Sequence, residues 1–236
     1  MHIYKYKKRI MKPIMSLIDS FSHNKMWSDI FLFALLFSTY NNVAVQSFCV
    51  ADLKGAQTPE GFLCKPPTSV KVDDFILSGL KPPTTPPSSN SSKITLTPAF
   101  VQQIPGLNGL GFAVARLDMD VGGVVPLHSH PDASEMLIIV RGTVTAGFIA
   151  ADNSVFVKRL RSGDVMVLPQ GLLHFQLNSG NGKALVHLAF SSSNPSTQLL
   201  DVALFGSNLN SDLITKTTIL DLSEVKKLKT VFGGSG

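Results

Sequence analysis

Over residues 111–190 the chain is a succession of short β-prone runs broken by turn residues, and this punctuation limits what it can fold into. The runs are 111–117, 135–141, 143–150, 155–160, 165–168, 173–178 and 184–190. Between them stand Arg141-Gly142, Ser162-Gly163-Asp164, Gln170-Gly171 and Ser179-Gly180-Asn181-Gly182, residue types that tolerate turn conformations. Strands joined this tightly are antiparallel neighbours. The pattern therefore predicts an all-β antiparallel sandwich or barrel.

The flanks read differently. Residues 223–232 carry Val225, Leu228, Val231 and Phe232 at helical spacing, with Ser223 as the expected N-cap and Gly233 as the stop. A terminal helix with one apolar stripe needs a surface to cover, on its own barrel or on another subunit. Before the barrel, residues 81–92 read KPPTTPPSSNSS, which forms neither ladder nor helix and is expected to be an exposed loop. Asn90, with Ser91 and Ser92, is a glycosylation acceptor there.

The start of the chain reads as an export signal. The apolar run 30–37 is eight residues long, short of the roughly 20 that span a bilayer but suited to the h-region of a signal peptide. Lys25 precedes it, and cleavage is expected between Ala44 and Gln46. Met26 would begin an ordinary signal peptide, which leaves 1–25 as an extended leader, 26–45 as the signal peptide, 46–92 as an N-terminal segment and 93–236 as the barrel with its helical extension. The formal net charge of +5 is concentrated in this leader, where six Lys or Arg stand against Asp19 and Asp29. The nearly neutral remainder has no basic stripe, which removes the electrostatic footprint of a nucleic-acid binder. Cys49 and Cys64 are the two cysteines. In an exported chain they are expected to pair, closing a loop worth on the order of 3 kcal/mol; two buried free thiols are the alternative.

Three of the four histidines beyond the leader share a neighbourhood with one glutamate. His128 and His130 are two apart, so on a strand both rings leave one face. Residues 131–134 make a bend, Glu135 opens the next strand, and His174 follows the turn at Pro169-Gln170-Gly171. Three imidazoles and a carboxylate make a first-row metal site, and an octahedral ion held by four ligands keeps two positions for water or substrate. A lone His-x-His pair is more often two polar residues on an exposed face. The surrounding glycines and proline (Gly122, Gly142, Gly163, Pro169, Gly171) and Asn178 alter that balance, because they recur at spacings that shape turns around these four residues.

These two blocks resemble the signature boxes of the cupin superfamily, and HSHPDASE (128–135), LPQGLLHFQLN (168–178), CVADLKG (49–55) and the ending 226–236 are similar to germin-like proteins, above all the auxin-binding 19/20-like subgroup. The resemblance implies a cupin β-barrel (jelly roll) with C-terminal helices, and manganese held by His128, His130, Glu135 and His174. It also implies a disulfide between Cys49 and Cys64, and a homohexamer, a trimer of dimers, in the plant apoplast or cell wall. It carries Asn108 over as one of two asparagines beside the metal in relatives that oxidise oxalate. Ala115 stands at the other position, which argues against oxalate oxidation. The family's basic-Gly-Asp tripeptide is Ser162-Gly163-Asp164 here, and His187 has no place in either box.

Two functions follow from the resemblance. One is superoxide dismutation, with Asn108 as an orienting group; the other is metal-dependent binding of auxin or another small organic acid without catalysis. A wall-associated structural or receptor-like oligomer is a third. Phe112, Leu137, Ile139 and Phe175 are either walls of a ligand pocket or barrel core, and apolar residues of this kind are mostly core. Gly-x-Ser-x-Gly, a phosphate-binding loop and Cys-x-x-Cys are all missing from the sequence.

Overall fold

The computed structural model describes residues 47–58, 61–82 and 92–236, and the elements below all lie in the compact unit Phe48–Gly236. The leader, the signal peptide and its cleavage region, and Asn90 lie outside the described residues.

Alternating buried and exposed positions build two antiparallel sheets. The first comprises β3 (Ile94–Ala99), β4 (Ala113–Met119), β11 (Ala184–Phe190), β6 (Glu135–Arg141) and β9 (Val165–Leu168), in that spatial order. The second runs β12 (Gln198–Leu199), β5 (Val124–Ser129), β10 (Leu173–Asn178), β7 (Thr143–Ile149) and β8 (Val155–Arg161). A small hairpin, β1 (Gln57–Thr58) with β2 (Gly61–Phe62), precedes them. Inward residues of both sheets, among them Leu117, Leu137, Ile139, Val144, Leu168 and Val186, fill one core. This is the antiparallel jelly roll that the turn pattern and the resemblance imply.

The expectation that strands joined by these tight turns pair with one another is corrected: β6 and β7, β8 and β9, β9 and β10, and β10 and β11 lie in opposite sheets, so each turn carries the chain across the sandwich. Gly142 joins β6 to β7 at φ +92°, and a Cβ there would lie 2.7 Å from the Cα of Ala184, so both the conformation and the close approach need glycine. Asp164 closes the turn into β9 by accepting from Arg161 N at 2.7 Å, while Ser162 Oγ donates to Val140 O at 2.8 Å. The tripeptide at 162–164 is thus a turn that passes the chain from β8 to β9 in the opposite sheet, held against β6 by Gly163 N on Ile139 O at 2.8 Å.

Three helices follow the barrel: α1 (Leu200–Phe205), α2 (Ser211–Thr218) and α3 (Leu222–Phe232). Phe205, Ile214 and Val225 form a second core with Leu204, Leu220, Leu228 and Phe232, so Val225, Leu228 and Phe232 of the stripe read from α3 pack on its neighbouring helices, whereas Val231 is exposed. The expected N-cap is corrected: Asp221 occupies that position and Ser223 lies inside the helix. An Asp two residues earlier is an equally good start signal, and the choice belongs to the packing of Val225. Gly233 ends α3 at φ +76° as expected.

The N-terminal segment is held against the barrel's 3₁₀ turn at Pro105–Leu107 that precedes β4. Cys49 and Cys64 form a disulfide, Ala51 N donates to Pro105 O at 2.9 Å, and Lys65 pairs with Asp74 at 2.6 Å. The Phe75 ring fills the space that a side chain at Gly106 would need.

Candidate metal centre

Local structure places each of the four residues. His128 is the fifth residue of β5 and His174 the second of β10, and they face one another in register across the pair. Their period-two neighbours on the same inward face include Gln176. His130 follows the end of β5, Glu135 opens β6 in the opposite sheet, and the chain turns between them with Ala133 N on His130 O. The turn before β10 presses on the same place, since Gly171, at φ +75°, donates its N–H to His130 O at 2.9 Å.

All four side chains are buried, and one ligand atom from each lies within 4.8 Å of the others. The Nδ1 atom of each ring meets a main-chain carbonyl: His128 that of Pro126 at 2.8 Å, His130 that of Ser196 at 2.6 Å, and His174 that of Leu172 at 2.8 Å. Carbonyls only accept, so each Nδ1 carries a proton and Nε2 is the atom that each ring can offer to the centre. His130 and His174 bring Nε2 to 3.1 Å from the same oxygen, Oε2 of Glu135. Lone pairs facing a carboxylate at that distance repel unless a proton or another cation lies among them.

The electrostatics show the same demand. Burial, with His174 beside it, depresses His128 to about 4. Burial also opposes charge on His130, yet its hydrogen bonds to Glu135 and to the Ser196 carbonyl leave it above the ordinary imidazole value. Glu135 falls to about 2: burial would raise it, but the hydrogen bonds from His130 and His174 prevail. The centre is a fixed anion ringed by imidazoles. Three nitrogen donors and one carboxylate suit manganese, iron or zinc. A buried acceptor, Gln176 Oε1, has no hydrogen-bond partner among the described residues, and a small polar group bound at the centre would satisfy it.

Two neighbours escaped the sequence reading. Gln176 Nε2 lies 3.5 Å from Glu135 Oε1, and the Phe190 ring stands 5.2 Å from that of His130. The signal for Gln176 was available, since a residue two beyond His174 shares its face. Asn108 spends its amide elsewhere: Oδ1 accepts from Phe62 N at 3.0 Å, and Nδ2 donates to Phe62 O at 2.7 Å and to Cys49 Sγ at 3.0 Å. Leu137 and Ile139 belong to the core, whereas Phe112 is 52% exposed. His187 lies on the exposed face of β11, outside the cluster.

Residues 79–226 match the family described as Cupin. Auxin-binding protein ABP20 from Prunus persica is 53% identical over 206 residues, which cover 87% of this chain and 95% of that protein. Germin-like protein subfamily 3 member 3 from Arabidopsis thaliana is 52% identical over 211 residues, covering 89% and 99%. Among solved structures, oxalate oxidase in complex with the substrate analogue glycolate superposes with a TM-score of 0.72 at 31% identity, covering 80% of this chain and 96% of that one.

Proposed function

Because this chain belongs to the germin-like proteins of the cupin superfamily, we propose that it is an exported plant protein that binds manganese through His128, His130, Glu135 and His174 and dismutates superoxide. The observation that carries the reading is the buried cluster of three imidazoles and one carboxylate, with Nε2 of His130 and of His174 converging on one carboxylate oxygen. Manganese, when bound, supplies reversible one-electron chemistry. The protein's part is to hold donors of fixed protonation: each Nδ1 is tied to a carbonyl, so the three rings bind through Nε2 and release no proton. Glu135 contributes the charge that offsets the ion, and Gln176 fixes how that carboxylate is turned. Phe190, Leu137 and the other core residues keep bulk water from the donors. Because the three rings, with Nδ1 held by carbonyls, release no proton, the two protons that each dismutation cycle consumes are drawn ultimately from solvent.

Supporting export are the disulfide, which oxidising compartments maintain, and the expected signal peptide; the apoplast or cell wall is the destination. Among the described residues no helix is long and apolar enough to cross a membrane. The outward face of β6 and β9 bares Met136, Ile138, Val140, Val165 and Val167. A contiguous apolar stripe of this kind fits subunit contact, and a hexamer of this chain is the assembly we propose.

A second reading is metal-dependent binding of auxin or another small organic acid, favoured by the likeness to ABP20. Oxalate oxidation has less support, because Ala115 replaces one of the two asparagines and is buried in the core. The deciding experiment produces the secreted form from about Val45, measures its metal by elemental analysis, and assays superoxide dismutation beside His174→Ala. Manganese near one per chain, with activity lost in the variant, supports the enzyme. Manganese without dismutation, together with heat on titrating auxin, supports the binder. A protein that takes up no metal overturns both.

A further inference from the structure

A polar cleft of about 340 Å³ is lined in part by the bend that runs between the ligands His130 and Glu135. Its floor includes Asp132, in the bend between His130 and Glu135, and the 191–194 loop that leaves β11. Asp132 Oδ1 accepts from Ser196 N at 2.9 Å and Ser196 Oγ at 2.6 Å, and the Ser196 carbonyl is the one that fixes His130. Across the bend, Ser134 N donates to Ser191 Oγ at 2.8 Å and Ser191 N to Ser134 O at 3.0 Å. The cleft is therefore built on the framework that positions two of the four ligands. Its volume is in the range of small-molecule sites.

The lining has a definite chemistry. Among the described residues, Asp132 is its one charged group and no cation contributes. The rest is hydroxyl, carboxamide and glycine: Gln57 and Gly61 of the N-terminal hairpin, Gly109 and Gly111, three consecutive serines and Asn194. Asn194 Oδ1 is held by Gln102 Nε2 at 2.9 Å, which leaves its N–H pair to donate. Gly109 and Gly111 both sit at φ +72° with nothing within 4 Å of a would-be Cβ, so the wall is kept open. Many small hydrogen-bonding groups around one carboxylate match the hydroxyls of an uncharged ligand and repel an anion.

We propose that this cleft binds the neutral, hydroxyl-rich end of a sugar or polyol and holds it beside the metal centre. The cleft is formed by the protein's own groups, so the proposal stands or falls apart from the choice between dismutase and auxin binder. Asp132 sets the preference for uncharged ligands.

The test is saturation-transfer NMR on the whole secreted protein, with cellobiose as the neutral probe and digalacturonate as the anionic one. Transfer to cellobiose is expected, with at least tenfold weaker binding of digalacturonate. Asp132→Asn, which retains the Oδ1 acceptor, should narrow that gap. Ser192→Tyr should fill the cleft and abolish transfer while metal content stays unchanged. Gly111→Asn provides a second obstruction, since asparagine tolerates the left-handed conformation. Equal or tighter binding of digalacturonate, no transfer to cellobiose, or transfer that survives in both filled variants would overturn the proposal.

Discussion

Gln176 Nε2 stands 3.5 Å from Oε1 of Glu135 while the carboxylate's other oxygen takes His130 and His174. The two oxygens of one buried carboxylate are thus divided between an amide and the imidazoles, an arrangement in which the amide can orient the carboxylate. Outer groups of this kind typically hold about a tenfold to hundredfold of metal affinity. Gln176→Leu is expected to lose affinity in that range in chelator competition. The metal-free variant should unfold no earlier than wild type, because Gln176 Oε1 is a buried acceptor without a partner among the described residues. Unchanged affinity would remove Gln176 from an orienting role.

Acid should unfold the metal-free protein in a defined window. Glu135 is depressed to about 2 from 4.5, so its stabilisation is complete above pH 4.5 and disappears as pH falls toward 2, for a loss of about 3 kcal/mol. His128, depressed from 6.5 to about 4, contributes stability above pH 6.5 that is lost as pH falls through about 4. His130 is raised and acts oppositely: its contribution is present below pH 6.5 and is lost as pH rises through its folded value. The windows of the two histidines meet at pH 6.5, so below it the loss runs first through that of His128, from 6.5 to about 4, and then through that of Glu135, below 4.5. Urea midpoints across pH 2 to 7 should show this slope, and Glu135→Gln should flatten it.

The disulfide should matter to the N-terminal segment more than to the metal. Replacing Cys49 and Cys64 together by alanine removes a cross-link spanning a sequence separation of 15, with an expected cost of about 3 kcal/mol. The four ligands come from the barrel and the bend between its strands, so metal content should be unchanged. Loss of metal in the double variant would show that the N-terminal segment supports the centre.

Ile219 caps α2 at φ +59° and is 98% exposed. A β-branched residue in the left-handed region carries strain with nothing buried in return. Ile219→Gly should stabilise by about 1 kcal/mol, read as a higher thermal midpoint at constant metal content.

Ile138→Glu places a charge on the apolar stripe of β6 and β9. If that stripe is a subunit contact, light scattering should report smaller assemblies than wild type, while the fold and the inward ligands persist. An unchanged mass would exclude this face from the assembly.

Strands 135–141, 165–168, 173–178 and 184–190 were legible to the residue because turn residues bound each of them, but their partners were not, since β6 pairs with β11 and β9, and β10 with β5 and β7, across turns that lead elsewhere. β3 was not: Thr95, Thr97 and Pro98 dilute its pattern, and it becomes a strand by pairing with β4 over six residues, with Pro98 tolerated at the sheet edge. The hairpin of β1 and β2 is only two residues a side, too short to leave a period. Helices α1 and α2 had no stripe of their own in the reading, since each contributes one or two residues to a core completed by α3.

By itself the sequence determined the turn positions, the inward face of each strand and the four residues placed on it, because period and turn chemistry are local properties of the backbone. The tertiary structure decided what those faces meet. His128 and His174 belong to one sheet and Glu135 to the other, and only the stacking of the sheets brings the carboxylate among the rings. Asn108 is drawn to Phe62 and Cys49, 46 and 59 residues away in sequence, by an N-terminal segment whose docking leaves no local trace. Contacts across such separations are set by which surfaces close the core together, and no window of the chain contains both partners.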